Sequence, residues 1–201
     1  ISELSDFLNK MIEDPAANQV TKLAMLFMIH VFVRTGSLRH SMWKDFDLEC
    51  DEPLWIIPDY NMKNKIDFHV PLSPQAVKII EEMKKFSGPD GYIFTQKINA
   101  QKPISVNALL YFSNRLGYAK SHTIHGFRTL ASSYLHGSML WSYDVVEKQM
   151  SHLVGNKVSR VYNKAEHLNE RRKMLEWWSN YIDSLMVTSD LNSSDDNRGI
   201  V

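Results

Sequence analysis

Residues 21–33, TKLAMLFMIHVFV, constrain the fold more than any other stretch. The segment reads as a helix that is apolar almost all round, and a helix without a polar face must be enclosed by other elements. At 201 residues there is enough chain to build that enclosure as one domain with a proper core. The apolar part, Leu23 to Val33, is too short to span a bilayer and is flanked by Lys22 and Arg34.

The enclosing elements can be read on either side. Residues 3–13, ELSDFLNKMIE, place Leu4, Phe7, Leu8 and Met11 on one helical stripe, and Asp14-Pro15 breaks the chain after them. Gly36 marks a stop after the apolar helix, and Ser37 can cap a short third helix holding Leu38, Met42 and Trp43. The texture then changes to short β-rich runs, FDLEC, LWIIP and IDFHVPL, separated by the turn-like DEP and DYNMKNK. Helical patterning returns over 74–86, 105–117, 125–136, 143–150 and 167–185, with a loop rich in Gly, Pro and Lys across 87–103. The expected class is α+β: mostly helical, with one small antiparallel three-stranded sheet, folded over residues 1–185. The polar, aperiodic tail 186–201 is expected to be disordered. The chain starts at Ile1 without a Met, which reads as a fragment whose N-terminal domains are missing.

Charge narrows the function classes. With 23 basic and 23 acidic side chains the formal net charge is zero, which argues against a domain that holds nucleic acid by electrostatics alone. It leaves open an enzyme whose charges are sorted by face. The single cysteine, Cys50, permits no internal disulfide, suits a reducing compartment and reads as a small, partly buried thiol.

The stretch HTIHGFRTLASSYLHG carries the most chemistry. His125 and Arg128 are three apart, so a helix starting near Ile124 puts both on one face. His152, in QMSHLVG, follows Arg128 by 24 residues, and Tyr162, in RVYNKAE, follows His152 by ten. Each alone has a dull reading as a surface pair or a packed tyrosine. Together they suit phosphodiester chemistry. Guanidinium groups clamp the non-bridging oxygens of a phosphate under attack, and a tyrosine hydroxyl can hold the phosphate covalently. Forming the phenolate at pH 7 costs about 4 kcal/mol, so a base or cationic surroundings must help. His125 could be that base, His152 a donor to a phosphate oxygen, and Lys63, in the turn between two expected strands, a proton source for the leaving hydroxyl.

The order Arg, Lys, His-x-x-Arg, His, Tyr resembles the catalytic domain of the tyrosine recombinases, in the phage and genomic-island integrase branch. The likeness runs from about Thr21 to Asp183. In that family the first catalytic arginine stands nine residues before a Trp that leads into an acidic-apolar-Asp-Leu strand. Here Trp43 is followed by KDFDL, and counting back nine gives Arg34 rather than Arg39. The family lysine stands eight residues before the proline of a V-P-L strand end, which selects Lys63 over Lys65. The runs HGFR, SH and YNKAEHLNERRKMLEWW complete the resemblance. Two positions depart from it: Ser37 stands where the family has an acidic residue, and Thr35 where this branch often has proline.

The resemblance implies a tyrosine-recombinase fold and a site-specific recombinase that needs no metal or other cofactor. Tyr162 would be the nucleophile, giving a 3′-phosphotyrosyl link and a free 5′-hydroxyl. Arg34, Arg128 and His152 would stabilise the transition state, Lys63 would protonate the leaving oxygen, and His125 would assist proton transfer. It also implies double-stranded DNA recombination sites as partner and a homotetramer on DNA. In that assembly the C-terminal helix would dock on a neighbour through Leu175, Trp177, Trp178, Tyr181 and Ile182, although a core role for this helix competes closely. Accessory DNA-bending or excision factors, a bacterial cytoplasmic, nucleoid-associated location and integration or excision of a prophage or genomic island belong to the same expectation. Arg39, Lys97, Lys102, Arg115, Lys120 and Lys157 are candidates for following the DNA backbone. The rivals are a DNA-binding relative that has lost cleavage, a metal phosphoesterase built on His122, His125 and His152, and a purely structural helical module.

Overall fold

The computed structural model describes residues 2–62, 65–119, 123–152 and 167–192. Eight α-helices are present among them: α1 (Ser2–Glu13), α2 (Gln19–Val31), α3 (Thr35–Arg39), α4 (Pro74–Met83), α5 (Ala108–Ser113), α6 (Ile124–Gly137), α7 (Tyr143–Gln149) and α8 (Leu168–Asn192). Strands β1 (Phe46–Asp47), β2 (Leu54–Ile57) and β3 (Phe68–Pro71) form one antiparallel sheet in that order, as the α+β reading expects. None of the described helices is long and apolar enough to cross a membrane.

Helix α2 lies at the centre, with α4, α5 and α8 packed against it. Its residues Ala24, Met25, Phe27, Met28 and Ile29 are all buried, as an apolar circumference requires. The Asn18 Oδ1 accepts from the Thr21 amide at 3.1 Å, so this cap starts the helix earlier than the apolar pattern suggests. The helix also ends earlier, and without glycine. Phe32 adopts a left-handed conformation (φ 38°) and donates its amide to the Met28 carbonyl at 2.7 Å. That backbone costs about 1–2 kcal/mol in a non-glycine residue, and burial of the phenyl ring offsets it. The expected third helix is displaced in consequence. It begins directly after Arg34, contains Gly36 and Ser37, and excludes Trp43, which belongs to a separate 3-10 turn (Trp43–Asp45).

The sheet covers α2 through aromatic packing. Phe46 and Trp55 face each other in register and stack at 5.1 Å, and Phe27 meets Trp55 at 5.7 Å. The 105–117 helix is split: α5 gives way at Asn114–Tyr118 to a wide π-type turn in which Gly117 takes φ 98°, a value glycine adopts without strain. Cys50 is free and exposed, not partly buried.

Of the five side chains expected to dock the last helix on a neighbour, three follow the competing core role and two are partly buried. Leu175, Trp178 and Ile182 are fully buried inside this chain, and Trp178 Nε1 donates to the Ile29 carbonyl at 2.8 Å. Trp177 and Tyr181 complete an aromatic stack with Tyr134, whose ring lies 4.5 Å from that of Tyr181. Leu175, Trp178 and Ile182 belong to the chain's own core, since α8 packs against α1, α2, α4, α7 and β3. Its helical backbone continues to Asn192, past residue 185 where the disordered tail was expected to begin.

One polar chain crosses this core. His30 Nδ1 lies 2.9 Å from Ser179 Oγ, which lies 2.7 Å from Ser73 Oγ. Burial drives the His30 pKa from 6.5 down to about 4, against a smaller opposing pull from Asp183. Between those values the unfolded chain binds a proton that the folded chain refuses. Stability is therefore complete above pH 6.5 and falls on acidification toward pH 4, by on the order of 3 kcal/mol from this group. Urea unfolding across that range should show the slope, and His30→Gln should flatten it by that amount.

Candidate active site

The ends of α2, α6 and α7 converge on one point. Arg34 stands between α2 and α3 in extended conformation (φ −69°, ψ 143°), half-buried, with Nη1 donating to Ser151 Oγ. Arg128, on α6, is only 3 % exposed. Its Nη1 donates to the Phe32 carbonyl at 2.6 Å and its Nη2 to the Met150 carbonyl at 2.9 Å. The left-handed turn at Phe32, which ends α2, thus also supplies half of the Arg128 cradle. Arg128 Nε is buried without a partner among the described residues.

Both acceptors of Arg128 are neutral, so nothing in this contact cancels its charge. Burial and then the neighbouring Arg34 charge lower its pKa to about 10, which leaves it a cation at neutral pH. Two guanidinium groups held close together, one of them desolvated, repel each other unless an anion lies between them. The site is therefore electrostatically unfinished in the direction of a phosphate.

A cleft of about 410 Å³ opens beside this pair, with Arg34, Ser37, Asn61, His125 and Arg128 in its wall. The Thr123 hydroxyl caps α6 by accepting from the Gly126 amide at 3.1 Å, which fixes the turn bearing His125. His125 is exposed while Arg128, three residues on, is buried, so the first turns of α6 offer one titratable group and one fixed cation to the same cleft. Ser37, where the resemblance would place an acidic residue, is buried in the cleft wall.

His152 follows Ser151, whose left-handed backbone (φ 51°) turns the chain away from α7. The exposed imidazole places Nδ1 2.8 Å from Glu147 Oε2, leaving Nε2 for a further partner. The other Glu147 oxygen lies 3.2 Å from His136 Nε2. Burial pushes the Glu147 carboxyl up, but hydrogen bonds from His152 and His136 outweigh it and hold the pKa below the usual carboxylate value. Glu147 thus remains charged to lower pH than an isolated Glu and orients His152. Sequence reading missed both Glu147 and Ser151, since a Glu five residues before a His has no distinctive spacing. Under the DNA-cleaving role that the resemblance implies, Glu147→Gln should slow the reaction about 10- to 100-fold by releasing the imidazole, with DNA affinity unchanged; single-turnover cleavage beside a binding titration tests this.

Of the expected residues, Arg34, His125 and Arg128 share the cleft; His152 follows Ser151, which Arg34 bonds, and its own partner is Glu147. Lys63 and Tyr162 lie outside the described residues, as do Lys120, Lys157 and His122. Arg39 points elsewhere: its Nε donates to the Ile104 carbonyl at 2.8 Å. Lys97 and Lys102 are exposed on the loop that Ile104 closes. Arg115 is already engaged, 2.5 Å from Asp14 and over the Phe112 ring at 5.4 Å. A larger cleft of about 700 Å³, between Trp43–Glu49 and Lys84–Gly91, contains none of these residues.

The chain has relatives among known proteins. The model of the phage integrase family matches residues 2–168. The chain is 36% identical over 179 residues to the integrase of Enterobacteria phage P4, covering 82% of this chain and 40% of that protein. It is 35% identical over 198 residues to the protein IntB of Escherichia coli strain K12, covering 91% of this chain and 49% of that protein. It thus spans about half or less of the length of these curated relatives. Its fold is shared with the site-specific recombinase XerH, solved in a pre-cleavage complex with its difH substrate, at a TM-score of 0.58 and 17% identity over 84% of this chain and 50% of that one. With a buried arginine cradle at the junction of three helices, and with sequence relatives among phage and prophage integrases, this chain belongs to the phage integrase family.

Proposed function

We propose that the chain is the catalytic domain of a tyrosine-type site-specific DNA recombinase, which integrates or excises a mobile element such as a prophage or genomic island. The observation that carries this reading is the convergence of Arg34 and Arg128 on one cleft, the second fixed by two main-chain carbonyls. Such a pair binds a phosphodiester more tightly as negative charge grows on its non-bridging oxygens, which is the requirement for transition-state stabilisation.

In the reaction, Tyr162 Oη attacks phosphorus as His125 receives its proton, and the bond from phosphorus to the 5′ oxygen breaks. Lys63 gives a proton to that oxygen. The products are a 3′-phosphotyrosyl link and a 5′-hydroxyl. Rejoining reverses each transfer with a different 5′-hydroxyl, so the phosphoester energy is kept in the covalent link and no nucleotide is consumed. Arg34, Arg128 and the Nε2 of His152 hold the phosphate oxygens. Double-stranded recombination sites are the partner, bound as a tetramer whose contacts come from surfaces other than the buried Leu175, Trp178 and Ile182.

The test is a nicked duplex spanning the junction between the encoding element and its host chromosome, incubated with the chain in EDTA. A covalent protein–DNA adduct is expected, absent in Arg34→Ala and retained in Arg39→Ala with at most weakened binding. Binding without an adduct would favour the relative that has lost cleavage, and activity abolished by EDTA would favour a metal phosphoesterase. A reversed outcome for the two arginines would overturn the assignment of Arg34.

A further inference from the structure

A second buried arginine lies behind the site. Arg171, in the first turns of α8, is fully buried at 0 % exposure. Its Nε and Nη2 donate to Gln149 Oε1 at 3.0 and 2.7 Å, and Nη2 also donates to the His69 carbonyl of β3 at 2.6 Å. The guanidinium lies over the Phe68 ring at 4.8 Å. On its other side the Gln149 amide donates through Nε2 to the Val31 carbonyl at 2.9 Å. Guanidinium donors on one side and a carbonyl on the other fix which end of the amide is oxygen.

Two of the three acceptors in this chain of bonds adjoin the site. Val31 precedes Phe32, whose carbonyl Arg128 takes; Gln149 precedes Met150, whose carbonyl Arg128 also takes. Arg128 directly, and Arg171 through the Gln149 amide, therefore tie together the same two segments, 31–32 and 149–150. Those segments lead directly into Arg34 and into Ser151 and His152.

We infer that Arg171 and Gln149 are positioning residues for the cleavage step. They hold the segments bearing Arg34 and His152 in register with Arg128. This rests on the recombinase reading above. A buried polar network of this kind specifies one arrangement where an apolar packing would tolerate several. A displacement of about 1 Å at reacting groups costs on the order of 100-fold in rate. Lysine cannot replace Arg171, because one ammonium cannot hold Gln149 and His69 in the same planar fork.

The experiment measures, on the nicked junction duplex, the single-turnover rate of adduct formation at saturating protein, the DNA Kd and the Tm. The variants are Arg171→Lys, Arg171→Met, Gln149→Met and the double Arg171→Met/Gln149→Met. Arg171→Met and Gln149→Met should each lose about 100-fold in rate, with Kd within about threefold. The double variant should lose no more than either single, since both break one linkage. Arg171→Lys should recover only part of the rate. If Arg171→Met does not fold, Gln149→Met, uncharged and similar in length, decides alone. A folded variant that cleaves at the wild-type rate, a parallel loss of rate and affinity, or additive losses in the double would overturn the positioning role. Failure of the unsubstituted chain to form any adduct would overturn the recombinase reading, and this role with it.

Discussion

Arg128→Ala should abolish DNA cleavage, with a fall of about 1000-fold in the single-turnover rate, the upper range for loss of one preorganised donor to a developing oxyanion. The size follows from what Arg128 holds. Its guanidinium ties the Phe32 carbonyl at the end of α2 to the Met150 carbonyl after α7. Removing it deletes a charge from the cleft and frees the two segments that lead to Arg34 and His152. It also strands two buried acceptors, at about 1–3 kcal/mol each, so the variant should melt earlier as well. Arg128→Lys separates these effects. It keeps a cation and most of the packing but cannot span both carbonyls, and it should still cleave about 100-fold slower while melting closer to the wild type. Arg128→Ala cleaving within tenfold of the wild type would remove this residue from the reaction.

The second large effect is on stability. Trp178→Ala should destabilise the chain by about 3–5 kcal/mol, the range for truncating a buried aromatic. The indole is 1 % exposed, contacts Phe32 and Tyr134 at ring-centroid distances of 6.2 and 5.9 Å, and bonds the Ile29 carbonyl. For a domain of this size the Tm should fall by on the order of 10 °C. The effect should not depend on protein concentration, because the side chain packs within its own chain. If Trp178 anchored a neighbouring subunit instead, dilute protein would melt unchanged and only assembly would fail.

The legible parts of the sequence were those in which pattern and chemistry coincide. The apolar circumference of 21–33 announced the central helix, and the turn-bounded β-rich runs LWIIP and IDFHVPL announced the sheet. His125 and Arg128 read correctly as neighbours because three residues of helix bring them to one face. Arg34 was separable from Arg39 only through its distance to Trp43, and the two now differ plainly: one lines the cleft, the other bonds Ile104. The turn after α2 was misread because a buried Phe took the left-handed position usually given to glycine, which pattern cannot foresee. The apolar stripe of α8 looks the same whether it faces a neighbour or its own core, and only packing against α2 decides. Glu147, Gln149, Ser151 and Arg171 escaped notice for a related reason. Their roles depend on segments brought together from across the chain, with no local signature.

The central claim is that a tyrosine of this chain becomes covalently bonded to DNA. The most direct measurement is to trap the adduct on a nicked junction duplex in EDTA, digest it with protease and nuclease, and locate the modified residue by mass spectrometry. The account predicts a nucleotide 3′-phosphate on Tyr162 and no adduct from Tyr162→Phe. A phosphate carried on another residue, or an adduct that persists in Tyr162→Phe, would contradict it.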